Sequence, residues 1–315
     1  MITNLANASF NSGRFPAQMK LGQIMPLLKK AGVDAADDSN FRLITNLSTM
    51  SKILERLALA RLQPHLLRSP NYCTLQSAYR PLHTAETALL KVTDDIYRSV
   101  DNGSFTALVS LDVSAAFDAL DHSVLSSRLQ SDFSINGIAL DWIQPYLSGR
   151  HSFVQVGRSA SCQQPCIAGV SQGSVLGPLL YTVYISLIGH VVGGLGVKHH
   201  EYADDTQLYV EMTDRGSLDR ILCCISCLQH WFLRSHLLLS GSKSDAIIIG
   251  TAQRHARAPQ PTHLCVAESC VAVSDTFKLL GVMLNHTMSF NKHVSTIVRA
   301  CLSLVSSTAH PFTCL

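Results

Sequence analysis

Glu201-Tyr202-Ala203-Asp204-Asp205-Thr206-Gln207-Leu208-Tyr209-Val210 decides how the rest of the chain is read. Two adjacent aspartates follow an aromatic and a small residue. Beyond them Leu208, Val210 and Met212 share one parity, the period-two pattern of a half-buried strand. An Asp-Asp pair at a tight turn sets two carboxylates side by side, and like charges that close stay ionised only when something positive sits on them. Mg²⁺, a hard dication that takes oxygen ligands and substrate phosphates, is the usual partner. A surface Asp-Asp turn carries that meaning only if a third carboxylate and a nucleotide-binding surface accompany it.

The third carboxylate comes from the clearest strand of the chain. Phe105, Ala107, Val109, Leu111 and Val113 fall on one face; Thr106, Leu108, Ser110 and Asp112 fall on the other. Asp112 therefore stands at the far end of the strand, opposite the apolar row. If this strand lies beside the 200–212 hairpin, Asp112, Asp204 and Asp205 converge. Three carboxylates can hold two metal ions roughly 3.5–4 Å apart.

Composition bounds what surrounds them. The 315 residues (34.3 kDa) leave room for two or three subdomains sharing a core. With 47% hydrophobic and 15% charged residues the chain is globular and not disordered. A formal charge of +3, counting 14 histidines as neutral, is compatible with nucleic acid without requiring it. Met1 to Phe10 lacks the pattern of a signal peptide, and no apolar run approaches the roughly 20 residues of a membrane span. Ten cysteines then read as reduced thiols. The expectation is an intracellular protein, nuclear or cytoplasmic, neither secreted nor membrane-bound.

Periodicity predicts amphipathic helices over 48–67 and 85–100, a helix over 121–129 and a long one over 218–239. Residues 31–40 read as a loop. A glycine-rich loop, 169–178, leads into an apolar helix over 179–188. Residues 153–157 and 164–167 suggest a hairpin, 246–250 and 277–284 short strands, and 306–315 shows no pattern. The order favours an α+β fold with an antiparallel sheet, with α/β winding left open.

Three segments occur in order: Leu111-Asp112-Val113-Ser114-Ala115-Ala116-Phe117-Asp118, Ser171-Gln172-Gly173-Ser174-Val175-Leu176-Gly177-Pro178, and Tyr202-Ala203-Asp204-Asp205. Together they resemble the palm motifs of reverse transcriptases of non-LTR (LINE-type) retrotransposons, of the Jockey and chicken-repeat group. The resemblance extends outward through Ser12-Gly13-Arg14-Phe15-Pro16, Pro26 to Lys30, Asn40 to Leu47, Ser51 to Arg56 and Gln76-Ser77-Ala78-Tyr79-Arg80. It continues to Lys243 and to Phe277-Lys278-Leu279-Leu280-Gly281-Val282, which is similar to the hairpin called the primer grip. Two positions depart from the pattern: Leu43 replaces a proline, and Ala78 a glycine.

The resemblance implies a polymerase right-hand fold, with an antiparallel palm sheet, helical fingers and a truncated thumb. Fingers would span 1–100, the palm with interleaved fingers segments 101–285, and the start of the thumb 286–315. It implies an RNA-directed DNA polymerase that adds deoxynucleotides to a 3′-hydroxyl by two-metal phosphoryl transfer. RNA template, DNA primer and deoxynucleoside triphosphates are the implied partners; two Mg²⁺ ions, or Mn²⁺, are the implied cofactors. Asp112, Asp204 and Asp205 would bind the metals, with the Val113 carbonyl as a further ligand. Phe117 would wall off the 2′ side of the incoming sugar, and Gln172 and Gly173 would pack on nucleotide and template. Arg80 would meet the triphosphate, and Lys243 would protonate the leaving pyrophosphate.

Several features have plainer readings. Asp118 and Asp121 are expected in capping and turn roles, and Tyr202 in packing. Cys223, Cys227 and His230, at i, i+4 and i+7, lack a fourth zinc ligand at short spacing and read as cysteines on a buried helix face. His199-His200 reads as polarity at a strand end. Gly169-Val170-Ser171-Gln172-Gly173 also fits the G-x-S-x-G nucleophile elbow, so a serine hydrolase using Ser171 is one rival. A catalytically silent retroelement remnant that still binds RNA is another.

Overall fold

The computed structural model describes residues 2–30, 32–214, 216–257, 261–266 and 269–308. In chain order the elements are α1 (Ile2–Asn11), β1 (Leu21–Leu28), β2 (Phe41–Asn46), α2 (Thr49–Arg68), α3 (Ala85–Asp101), β3 (Phe105–Ser114), α4 (His122–Ser131) and α5 (Ile138–Leu147). There follow β4 (Arg150–Val156), β5 (Ser159–Ala160), β6 (Gln164–Cys166), α6 (Gly177–Ile185), α7 (Ile188–Gly193), β7 (Lys198–Tyr202), β8 (Asp205–Met212), α8 (Gly216–Arg234) and β9 (Leu238–Ile249). The last are α9 (Ala252–Arg257), β10 (His263–Val266), β11 (Ser269–Ala272), β12 (Thr276–Leu279), β13 (Val282–Asn285) and α10 (Asn291–Thr308). Residues 309–315, where the sequence shows no pattern, lie outside the described residues.

The chain divides into two units, each assembled from three separate stretches. One comprises Met1–Tyr79, Val113–His190 and Gln229–Leu238; the other comprises Arg80–Asp112, Val191–Leu228 and Leu239–Leu315.

In the second unit a four-stranded sheet runs in the order β7-β8-β3-β9. β3 is antiparallel to β8, with Phe105 opposite Met212 and Leu111 opposite Thr206. β7 and β8 form the hairpin, closing at Tyr202 opposite Asp205. The pattern predicted one buried face for β3, but both are covered: Thr106 and Leu108 are as buried as Ala107 and Val109. The reason is what packs on the second face. Leu108 and Tyr209 join Val92 and Ile96 of α3, Ile247 and Ile249 of β9, and Phe277, Leu279 and Leu284 of the β12–β13 hairpin in one core. Along this face, beyond Leu108, the side chains become Ser110 and Asp112. The same surface is dry at one end and polar at the other.

A carboxylate pins α3 to the hairpin. Asp95 accepts hydrogen bonds from Lys91, from Lys198 Nζ at 2.9 Å and from the Tyr209 hydroxyl at 2.8 Å. Burial alone raises a carboxyl pKa, yet these donors outweigh it and hold Asp95 at about 2.

The first unit has its own sheet. β1 is antiparallel to β2 and parallel to β4, and β4 takes β6 as an antiparallel partner. Helices α2, α5 and α6 meet at Glu55, whose side chain is fully buried. Its carboxylate accepts from Ser51 Oγ (2.8 Å), from Tyr146 Oη (3.2 Å), and from the backbone N–H groups of Val175 (2.6 Å) and Leu176 (3.2 Å). A buried carboxylate is tolerated because every bond it accepts is charge-assisted and it sits at the N-terminus of α6.

The helices expected over 48–67, 85–100 and 121–129 are α2, α3 and α4, with Asp121 capping α4 through Ser123 and Val124 N–H. Three boundaries move. The helix expected to reach 239 stops at Arg234, where His236 adopts φ +55°, and β9 then runs from 238 instead of 246. Alternating serines 240, 242 and 244 hide this strand from hydropathy, because pairing in the sheet, not side-chain apolarity, holds it extended. The apolar helix expected over 179–188 ends at Ile185 and α7 restarts at Ile188.

Asp95 has a pKa below its unfolded value near 3.9, so the folded state binds fewer protons in that range. Its contribution should be complete above about pH 4 and lost as pH falls toward 2. Urea unfolding at stepped pH should show this loss in the wild type. In Asp95→Asn it should be absent, with stability near neutrality lower by about 2 kcal/mol.

Candidate active site

Beyond Leu111 and Thr206, the antiparallel register carries Asp112 to the level of Asp205. Both line a cavity of about 470 Å³ within the second unit, and Lys243, Tyr202 and Ser110 line it as well. Asp204 precedes Asp205 at the turn. The carboxyl of Asp205 is pushed up to about 6, by desolvation and then by the negative charges of Asp204 and Asp112. Asp205 keeps an exposed face, so the crowding of like charges is the part that geometry assures. Asp205 thus feels both its neighbour Asp204 and Asp112, which lies 93 positions earlier in the sequence.

The turn that presents them is held in an uncommon conformation. Ala203 lies in the left-handed region, φ +57°, where a non-glycine residue costs on the order of 1–2 kcal/mol. On the far wall, Leu280 (φ +45°) and Gly281 (φ +92°) form the two-residue turn of the β12–β13 hairpin and line the same cavity. β9 is tied to the acid end of β3 by Ser244, whose hydroxyl accepts the Asp112 N–H at 3.4 Å and donates to the Ser240 carbonyl at 2.8 Å.

Asp245 and Lys278 also line this cavity. The sequence reading did not single out Asp245, nor assign Lys278 a role. Asp245 had a signal: it stands two residues after Lys243, so the two share a face once β9 is recognised as a strand. Arg80 precedes α3 by one turn of loop, in the same unit, and its carbonyl accepts from the His83 N–H.

The other predicted site residues gather in the first unit. Phe117 stacks on Tyr181, centroids 4.7 Å apart and planes 24° apart. Gln172 donates to the Asp118 carboxylate at 3.1 Å, and its carbonyl accepts the Thr45 N–H at 2.6 Å. Gly173 adopts φ +113°, and a Cβ there would stand 2.5 Å from the Thr45 carbonyl oxygen. The glycine is required by the approach of β2. Backbone bonds from Gly169 N–H to the Leu120 carbonyl (2.8 Å) and from Val170 N–H to the Phe117 carbonyl (2.9 Å) join this loop to the segment after Asp112. Glu55, also without a role in the sequence reading, clamps the loop's far end through Val175 and Leu176.

Some readings are corrected. Asp118 holds a turn, as expected, its N–H donating to the Ala115 carbonyl at 2.9 Å, but it caps no helix and its carboxylate accepts from Gln172. Tyr202 is half-buried, in keeping with its packing reading, and also lines the acidic cavity. Cys223 and Cys227 are exposed, and Cys224 between them is the buried cysteine. His199 and His200 are buried within β7, and burial, with the neighbouring His200, lowers His199 to about 4. The residues before Ser171 form no buried strand, and Ile167 is 87% exposed, so the nucleophile-elbow reading loses its scaffold.

A cavity built from acidic strand ends on an antiparallel sheet is a polymerase-type arrangement, and comparison with known proteins agrees. The family model "Reverse transcriptase (RNA-dependent DNA polymerase)" matches residues 28–284. The chain belongs to the reverse transcriptase family. It is 29% identical over 305 residues to the "Probable RNA-directed DNA polymerase from transposon X-element" of Drosophila melanogaster, covering 94% of this chain and 32% of that protein. It is 25% identical over 297 residues to the polymerase from mobile element jockey of Drosophila funebris, covering 92% and 32%. The chain thus spans about a third of the length of these relatives. In fold it is similar to apo telomerase from Candida tropicalis truncated from the C-terminal domain, with TM-score 0.57 and 12% identity, covering 91% of this chain and 58% of that one. The α+β right-hand polymerase class is thereby established. Among the described residues no helix is long and apolar enough to cross a membrane.

Replacing Glu55 by alanine should leave the Val175 and Leu176 N–H groups buried without an acceptor and cost on the order of 3 kcal/mol. Glu55→Gln keeps one acceptor oxygen and should recover more than half of that in urea unfolding.

Proposed function

We propose that the chain is the nucleotidyl-transfer core of a LINE-type retroelement, adding deoxynucleotides to a primer 3′-hydroxyl on an RNA template. The observation that carries this reading is the register that sets Asp112 beside Asp205 at the open end of the sheet, with Asp204 next to it.

The donor set fits hard divalent cations. Its side-chain donors are carboxylate oxygens, and desolvation together with the neighbouring negative charges raises the pKa of Asp205, the electrostatic condition a dication relieves. Asp112, Asp204 and Asp205 would hold two Mg²⁺ or Mn²⁺ ions, with the Val113 carbonyl as a further oxygen. Such ions, when bound, supply charge stabilisation of the phosphoryl group and a lower pKa for the attacking hydroxyl. The protein's own share is positioning. Lys243 supplies a proton to the leaving pyrophosphate, and Arg80 steadies the triphosphate. Phe117, kept flat against Tyr181, walls off the 2′ side of the sugar and so favours deoxynucleotides. The loop of Gln172 and Gly173 receives the templating pair. Residues 1–100 would supply the fingers, 101–285 the palm with interleaved fingers segments, and 286–315 the start of a thumb.

Primer extension with RNA template, deoxynucleotides and Mg²⁺ tests the proposal. The wild type should extend, and Asp204→Asn/Asp205→Asn should fall to background. Equal background in both would contradict the activity, and RNA binding retained in both would then mark a silent remnant.

A further inference from the structure

The β10–β11 hairpin carries two cysteines in direct cross-strand register. Cys265 lies opposite Cys270, between the pairs Leu264–Val271 and Val266–Ser269. Both cysteines are free and exposed. Leu264, Val266 and Val271 are buried, so the alternation of the strand points the two sulfurs to the solvent side together. A slip of either strand by one residue would bury its cysteine and expose its apolar side chains, which fixes the register.

The hairpin is also seated firmly. A Cβ on Gly241 of β9 would stand 2.5 Å from Ser269 Cβ and 2.6 Å from the Val266 carbonyl oxygen, so the Val266–Ser269 pair lies on that glycine. Gly241 is two residues before Lys243. Val273, just past β11, forms a parallel bridge with Ala246 of β9.

We propose that Cys265 and Cys270 form a redox-active dithiol site, whose substrate class is the low-molecular-weight disulfides. Cross-strand partners have Cα atoms roughly 4.5–5.5 Å apart, inside the roughly 4.4–6.8 Å range that a disulfide spans. One thiolate attacks the small disulfide and releases its first thiol, leaving a mixed disulfide. The second cysteine, having lost its proton, attacks the protein sulfur of that adduct and releases the second thiol. A Cys265–Cys270 bond forms. The pair gives up two electrons and two protons, and the small disulfide leaves as two thiols. The exposed pair Cys223 and Cys227 is the less suited competitor. One helical turn sets Cβ atoms roughly 5–6 Å apart, beyond the roughly 3.5–4.5 Å a disulfide needs. Because the hairpin rests on Gly241, closure stiffens the strand that carries Lys243.

The test uses the whole chain, incubated with glutathione disulfide without denaturant, then alkylated, digested and weighed. The fragment holding both cysteines should be lighter by two hydrogens and carry no alkyl group. Cys265→Ser and Cys270→Ser should each keep a glutathione adduct on the remaining thiol, because nothing is left to expel it. Amide hydrogen exchange at Gly241 should slow several-fold on oxidation of the wild type and stay unchanged in either serine variant. Two independently alkylated or independently glutathionylated cysteines in the oxidised wild type would overturn the site. Unchanged exchange at Gly241 would overturn its link to β9.

Discussion

Like charges brought together at the end of a sheet are the constraint on which the second unit depends. β3 and β8 pair so that Leu111 meets Thr206, and one step further the pairing delivers Asp112 and Asp205 to the same level. That arrangement costs free energy: desolvation, then the charges of Asp204 and Asp112, raise the carboxyl pKa of Asp205. A register shifted by one residue would relieve it, because every side chain would change face. The shift is prevented by the other end of the same face, where Leu108 and Tyr209 are locked among α3, β9 and the β12–β13 hairpin. The apolar end of the sheet thus holds the acidic end in place, and Asp95 adds an anchor through Tyr209 and Lys198.

The first unit is organised by a different kind of carboxylate. Glu55 is buried and fully bonded, and it joins α2, α5 and the start of α6 through donors it alone accepts from in common. Its effect is to fix the end of a loop whose other end is fixed by Gly173 against Thr45 and by Gln172 against Asp118. In one unit acids are left open to a cavity, and in the other an acid is closed off to serve as a joint. The difference lies in the donors around them, not in the residue type.

Much of this was legible in the sequence. The alternation of 105–113 placed Asp112 at a strand end, and the Asp-Asp turn lay where a hairpin was expected. Helices α2 and α3 followed from their apolar spacing. Other features were hidden for physical reasons. The first half of β9 carries alternating serines at 240, 242 and 244, so its strand character comes from its neighbours and not its composition, and Asp245 was missed with it. Glu55 reads as one more charged residue on an amphipathic helix, because its partners Val175 and Leu176 are backbone groups a hundred and twenty positions away. His199 and His200 looked like strand-end polarity, since nothing local to them reveals that β7 is covered. Cys223 and Cys227 were given the wrong face of α8, whose buried cysteine is Cys224.

On the proposed reading, Asp112 and the Asp204-Asp205 turn would hold the same divalent ions. Manganese(II) titration followed by electron paramagnetic resonance measures this without requiring turnover. Wild-type protein should bind Mn²⁺, and Asp112→Asn alone should weaken that binding by roughly tenfold or more. Binding in Asp112→Asn equal to wild type would contradict the account, since it would mean that the strand ending at Asp112 does not contribute to the site.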